Sequence, residues 1–185
     1  VRNLALYGEL TGIQAQMQTL GYPSVPYRME FLTNPAVFID EFRGLRYSFW
    51  GMFGWFKILL PKPYYIALDL LTLLAMVGLL SVTCALWKRR RWVDLLRLGL
   101  AVVWTGVVFA EVTVYNTYLE AYHGRLMFPA ISAIALLLVV GLEGVAARLR
   151  ARWVSWLLPA GLAALAVISP AVYVRPVLMP PPTID

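Results

Sequence analysis

Apolar and polar positions follow two regimes that change over at Pro63. From Tyr64 onward, long apolar runs alternate with short polar ones. Four runs, Tyr64 to Trp87, Leu95 to Tyr118, Leu126 to Val145 and Val154 to Val174, each approach the roughly 20 residues that cross a hydrocarbon core. Pro159 lies near the start of the last run, where a helix tolerates it, and Pro170 is expected to kink or end it. The pattern predicts an all-α, polytopic membrane helix bundle of about four transmembrane helices over residues 64–175, followed by a Pro-rich tail at 176–185.

Residues 1–63 hold no comparable run and are expected to form an external amphipathic and interfacial region. Leu10 to Leu20 suits a short helix with Thr11 as its cap, broken by Gly21, Pro23 and Pro26. Asn34-Pro35 opens a second helix over Ala36 to Tyr47. Its face of Val37, Phe38, Ile39, Phe42, Leu45 and Phe49 suits a membrane surface or the bundle itself, and Asp40, Glu41, Arg43 and Arg46 fall opposite. Asp40 and Glu41 are adjacent, so they point to different sides and read as a solvated face. Ser48 to Trp55 (SFWGMFGW) is too short and too broken by glycine to span. It reads as an interfacial or re-entrant segment with Trp50, Phe53 and Trp55 at headgroup depth.

Composition sharpens this picture. Hydrophobic residues make up 61% of the chain and charged residues 14%, well outside the range of soluble domains. The net charge of +6 sits in clusters beside apolar runs, which points to membrane topology and anionic headgroups and not to nucleic acid. Lys88 to Arg91 joins the first two spans, and Arg148, Arg150 and Arg152 join the last two. The positive-inside rule makes both loops cytoplasmic and puts residues 1–63 and the Glu120 to Arg125 turn outside. An external start without a signal peptide leads us to expect an upstream portion of the same polypeptide. Cys84 has no cysteine partner and reads as a buried packing residue.

Candidate chemistry concentrates between Glu111 and Arg125. Glu111, Tyr115, Tyr118 and Tyr122 share one helical face by their spacing, which predicts a stripe toward the bundle interior or an outward-opening cavity. The alternative is a structural carboxyl bonded to a neighbouring helix. Arg125 follows His123 and Gly124 at the mouth of the third span. Its planar fork, with the free N–H groups of a helix start, suits a lipid phosphate or pyrophosphate. Snorkelling, or pairing with Glu120 or Glu111, is the alternative. No Walker-type phosphate loop, Cys/His metal cluster or nucleophile elbow is found, so no metal or cofactor is assigned.

Three stretches carry a family resemblance. VRNLALYGEL (residues 1–10) resembles the segment after a span in bacterial multi-spanning glycosyltransferase-like proteins. SFWGMFGW followed by Leu60-Pro61 resembles the S-F-W-G-x-F-G-W…L-P signature of a bacterial membrane family. Tyr122 to Leu138 resembles that family's Q-G-R-Y-x-x-P entry into a late span. Arg125 matches its arginine, while His123 stands where Gln is usual and Leu126 where Tyr is usual. The family looks related to the GT-C superfamily of glycosyltransferases. The resemblance implies a C-terminal portion of an enzyme of the bacterial plasma membrane that uses a polyprenyl-phosphate-linked sugar at the external face. Arg125, with Arg43 or Arg46, would hold the carrier phosphate, and His123, Trp50 and the Glu111, Tyr115 and Tyr122 face would help bind substrate. In that superfamily the catalytic carboxylate lies in the first external loop, so no catalytic residue is assigned here. A transporter or a non-catalytic assembly subunit for surface polysaccharide or lipid is the other expectation, with Glu111 on its path.

Overall fold

A computed structural model of the protein describes residues 2–8, 12–23, 25–53, 57–120, 123–151, 153 and 156–178, apart from the side chains of Phe31, Leu158 and Leu178. The four expected spans are present, over Lys62–Lys88, Trp92–Tyr118, Gly124–Leu149 and Pro159–Val177. We call the helices α5 (Lys62–Lys88), α6 (Trp92–Tyr118), α7 (Ile131–Leu149) and α8 (Leu157–Ser169). The protein is an all-α integral membrane bundle. The N-terminal region carries α1 (Arg2–Tyr7), α2 (Ile13–Thr19), α3 (Glu30–Thr33) and α4 (Pro35–Gly51), and α9 (Arg175–Leu178) closes the last span. Most of the apolar surface of α5, α6 and α8 is exposed, as helices facing lipid require.

The tightest packing joins α5 to α7. Lipid tails are as apolar as Leu, so membrane helices associate where small residues let backbones approach. A Cβ added at Gly78 would lie 1.8 Å from the Gly141 carbonyl oxygen, and one added at Gly141 would lie 2.0 Å from that of Ala75. Leu68, Ala75, Leu142, Val145 and Ala146 form the core around this contact. A second core, of Leu45, Val108, Val112, Met127 and Ala130, lies where α4, α6 and the start of the third span meet.

Proline decides two departures from the expected helices. The third span opens as a 3-10 segment, Gly124–Ala130, before α7 begins. Pro129 has no N–H to give to the preceding turn, so the ladder is interrupted there, and Trp104 on α6 ties the segment to the bundle by donating its indole N–H to the Pro129 carbonyl at 3.0 Å. Pro170 was expected to kink or end the last span. It opens a π-turn, Pro170–Val174, and the helix continues into α9. Tyr173 there donates to the Tyr64 hydroxyl of α5 at 3.3 Å.

The N-terminal region is folded onto the bundle. Asn34 caps α4, its side-chain oxygen accepting from Ala36 N–H at 3.1 Å, with Pro35 as the first helical residue. The α4 helix runs to Gly51, longer than expected, and takes in Ser48 to Trp50. Met52–Phe53 (β1) then pairs antiparallel with Ile58–Leu59 (β2). Tyr65 of α5 pins this hairpin, donating to the Gly51 carbonyl at 2.6 Å and accepting from Leu60 N–H at 3.1 Å. Of the two surfaces open to α4, the bundle is the one it uses, through Leu45 and Phe49. Thr11 and Trp55 lie outside the described residues.

Glu41 corrects the expectation of a solvated acidic face. It is 3% exposed, and Arg28 donates to it at 2.6 Å. Arg28 also donates to the Asn116 carbonyl at 3.4 Å, and the backbone N–H groups of Tyr27 and Arg28 both donate to the Thr117 carbonyl at 3.1 Å. These carbonyls end α6 and lack helical partners, so the loop 25–29 is strapped across them. Cys84 is a second correction: it is exposed on α5.

Two stability predictions follow from this packing. Gly141→Ala and Gly78→Ala should each destabilise the detergent-solubilised protein by about 1–3 kcal/mol, as overpacking does. Gly99→Ala and Gly106→Ala, where an added Cβ meets nothing within 4 Å, should not. Arg28→Ala leaves a buried carboxylate and should cost about 3–5 kcal/mol, whereas Arg28→Met with Glu41→Leu should cost less than the single change. Thermal unfolding followed by circular dichroism measures all six.

Candidate functional site at the mouth of the third span

The site begins with a glycine. Gly124 sits so close to α4 that a Cβ there would lie 2.0 Å from the Phe49 backbone nitrogen. Its N–H donates to the Ser48 hydroxyl at 2.7 Å, and that hydroxyl donates to the Gly44 carbonyl at 2.8 Å. Ser48 therefore relays one hydrogen bond from the loop into the α4 ladder. The residues either side of Gly124 are sent to opposite sides of this contact.

Arg125 goes to one side. It lines a recess of about 610 Å³ with Ser48, Trp50, Phe53 and Phe128. Phe49 packs edge-on against Trp50 (centroids 5.1 Å apart) and Phe128 (6.5 Å), so the walls form a connected aromatic cluster. A guanidinium over apolar walls at the membrane boundary suits a ligand that is anionic at one end and apolar at the other. His123 goes to the other side. It lines a recess of about 560 Å³ with Tyr22, Tyr27, Gly44, Leu119 and Glu120, and Met52 borders both recesses.

Two N–H groups at this helix start are already used: Gly124 N–H donates to Ser48, and Leu126 N–H donates to the His123 carbonyl at 2.8 Å. The Arg125 side chain supplies the positive charge in the recess.

The other expected site residues lie elsewhere. Arg43 pairs with Asp40 on the exposed side of α4. Arg46 reaches Asp69 of α5 at 3.4 Å, with its guanidinium 4.6 Å from the Tyr47 ring. Neither lines the Arg125 recess. Glu111 is exposed, because α6 turns Val108, Val112 and Asn116 inward to meet Leu45 and Met127. The interior stripe is offset by one residue from the one read in the sequence. Tyr115 is half-buried and accepts from Gln16 of α2 at 3.4 Å. Tyr122 lies outside the described residues.

Sequence reasoning missed three things. The Arg28–Glu41 pair joins residues across a proline-punctuated loop, and no short motif signals it. Tyr22 and Tyr27 reach the His123 recess from that same loop. Glu143 is a second carboxyl within a span, exposed on α7, and a count of acids inside apolar runs finds it.

Comparison with protein-family models, with curated proteins and with solved structures gives no match. Among the described residues, no group of three or more His, Cys, Asp or Glu side chains is arranged to hold a metal.

His123 yields a pH prediction. Burial first, and the neighbouring Arg125 charge second, hold its imidazole below the usual histidine pKa. The folded state favours the neutral ring, so its contribution to stability is full above about pH 6.5 and is lost as pH falls through the folded value. The midpoint of thermal unfolding should drop as pH falls below about 6.5. His123→Gln should flatten that part of the profile.

Proposed function

We propose that the protein binds a polyprenyl-phosphate-linked substrate at the external membrane face, as the membrane portion of a GT-C-like glycosyltransferase. One observation carries this reading: Arg125 and the Phe49, Trp50, Phe53 and Phe128 aromatics share one recess where the third span enters the membrane. A carrier phosphate would meet the guanidinium, and the first isoprene units would lie on the rings. The resemblance of the SFWGMFGW and His123-Gly124-Arg125 stretches to the bacterial family supplies the reaction class. In it a carboxylate activates the acceptor and the carrier phosphate leaves. The basic ends at Lys88–Arg91 and at Arg148 and Arg150 would face the cytoplasm of a bacterial plasma membrane, which puts the recess outside.

A non-catalytic assembly subunit is the second reading, and a different observation favours it. Glu111 and Glu143 are both exposed on membrane-spanning helices, where a carboxyl calls for a partner. The transport version loses ground, since Glu111 lines neither recess.

Binding of polyprenyl phosphate to the purified protein tests the leading reading. A charged hydrogen bond is worth about 1.5–3 kcal/mol, so Arg125→Ala should weaken binding roughly 10- to 100-fold. Trp50→Ala should also weaken it, and Arg43→Ala should not. Unchanged affinity in Arg125→Ala would overturn the assignment. Retained binding without sugar transfer in vesicles would favour the assembly subunit.

A further inference from the structure

At the opposite end of the bundle, α5 and α7 part into a groove of about 370 Å³ that neither the sequence motifs nor the proposed reaction uses. It is lined by Leu80, Ser81, Cys84, Ala85, Lys88 and Arg148. Leu80, Cys84 and Lys88 follow one another at i, i+4 spacing, so they form a single stripe along α5. All three are exposed. Arg148, in the last turn of α7, reaches across and donates to the Ser81 hydroxyl at 3.1 Å. That bond fixes the guanidinium over the groove. It uses one of five N–H donors.

Lys88 stands at the outer end of the groove, and the Arg148 guanidinium, bonded to Ser81, lies seven residues further in along α5, beside Leu80. The depth of the Lys88 end is marked independently. Trp87, next to Lys88, packs edge-on against Trp92 across the turn at 4.9 Å between centroids, and both rings are exposed. Exposed tryptophans of this kind sit at headgroup level. Lys88 therefore lies where lipid phosphates lie, with the Arg148 guanidinium on its membrane-ward side.

We infer that the groove between α5 and α7 is a binding site for one anionic phospholipid, its headgroup phosphate held by Lys88 and Arg148 and an acyl chain laid along Leu80 and Cys84. Charge complementarity selects this occupant, since a zwitterionic lipid offers its phosphate with a covering ammonium group. The close approach at Gly78 and Gly141 makes the groove possible. Below it the helices touch backbone to backbone, so the groove closes there and an acyl chain has to leave along the outer face of α5.

Native mass spectrometry of the detergent-solubilised protein tests the site, with phosphatidylglycerol and phosphatidylcholine as probes. The expected result is one retained phosphatidylglycerol, bound in preference to phosphatidylcholine. Each cation near the surface contributes about 1 kcal/mol, so Lys88→Gln and Arg148→Gln should each cut retention about fivefold. Arg97→Gln removes a surface charge at the same end of the bundle, outside the groove, and should leave retention unchanged. Alkylation of Cys84, the only cysteine of the chain, with a bulky maleimide should expel the lipid. If Arg148→Gln fails to fold, Lys88→Gln and the alkylation, both at exposed positions, decide the question. Equal retention of the two lipids would overturn the inference. So would a loss in Arg97→Gln as large as that in Lys88→Gln, which would mean diffuse surface attraction.

Discussion

Gly124 resting on the backbone of α4 is the closest contact between the N-terminal region and the membrane bundle. A side chain of any size there would force them apart, because the atoms it meets are main chain and cannot rotate away. The Ser48 hydroxyl makes the contact directional, accepting from a loop N–H and donating to a helix carbonyl. The 3-10 entry to the third span, the seating of Leu45 among Val108, Val112 and Met127, and the two recesses all lie around this contact.

The membrane half obeys a similar rule by other means. In lipid, apolar surface has no reason to leave its surroundings, so α5 and α7 are held by backbone proximity at Gly78 and Gly141 and not by burial of large side chains. This explains why so much of the bundle's apolar surface stays exposed in a stable fold. Among the described residues, three of the buried polar side chains, Glu41, Asn116 and Thr117, lie with Arg28 at the end of α6, where helix carbonyls need donors and the chain can fold back to bring them.

The four spans were legible because a bilayer imposes one length on every crossing and the apolar runs repeat that length. The Asn34-Pro35 cap was legible because capping is local chemistry. Arg125 and Trp50 were read as separate signals, and the fold brings them into one recess. The interior face of α6 was misread by one residue. Spacing alone groups Glu111 with Tyr115, whereas the face that turns inward is chosen by what α4 and the third span present to it. Glu41 failed for the same reason: its partner lies 13 residues upstream, across Pro35. Proline's effect on a span also depends on its neighbours. Trp104 anchors the segment at Pro129, and a wider turn absorbs Pro170.

That wider turn also changes the rotational phase of the last span. Leu165 packs toward the α5–α7 core, and Tyr173, eight residues on, packs against Tyr64 of α5. In a uniform helix of 3.6 residues per turn, two positions eight apart point about 80° away from each other. A π-turn advances less per residue and recovers part of that angle, so one helix can keep the same neighbour along both halves. Pro170 therefore acts as a phase corrector: the residue that interrupts the ladder lets Leu165 and Tyr173 both turn toward the α5–α7 pair.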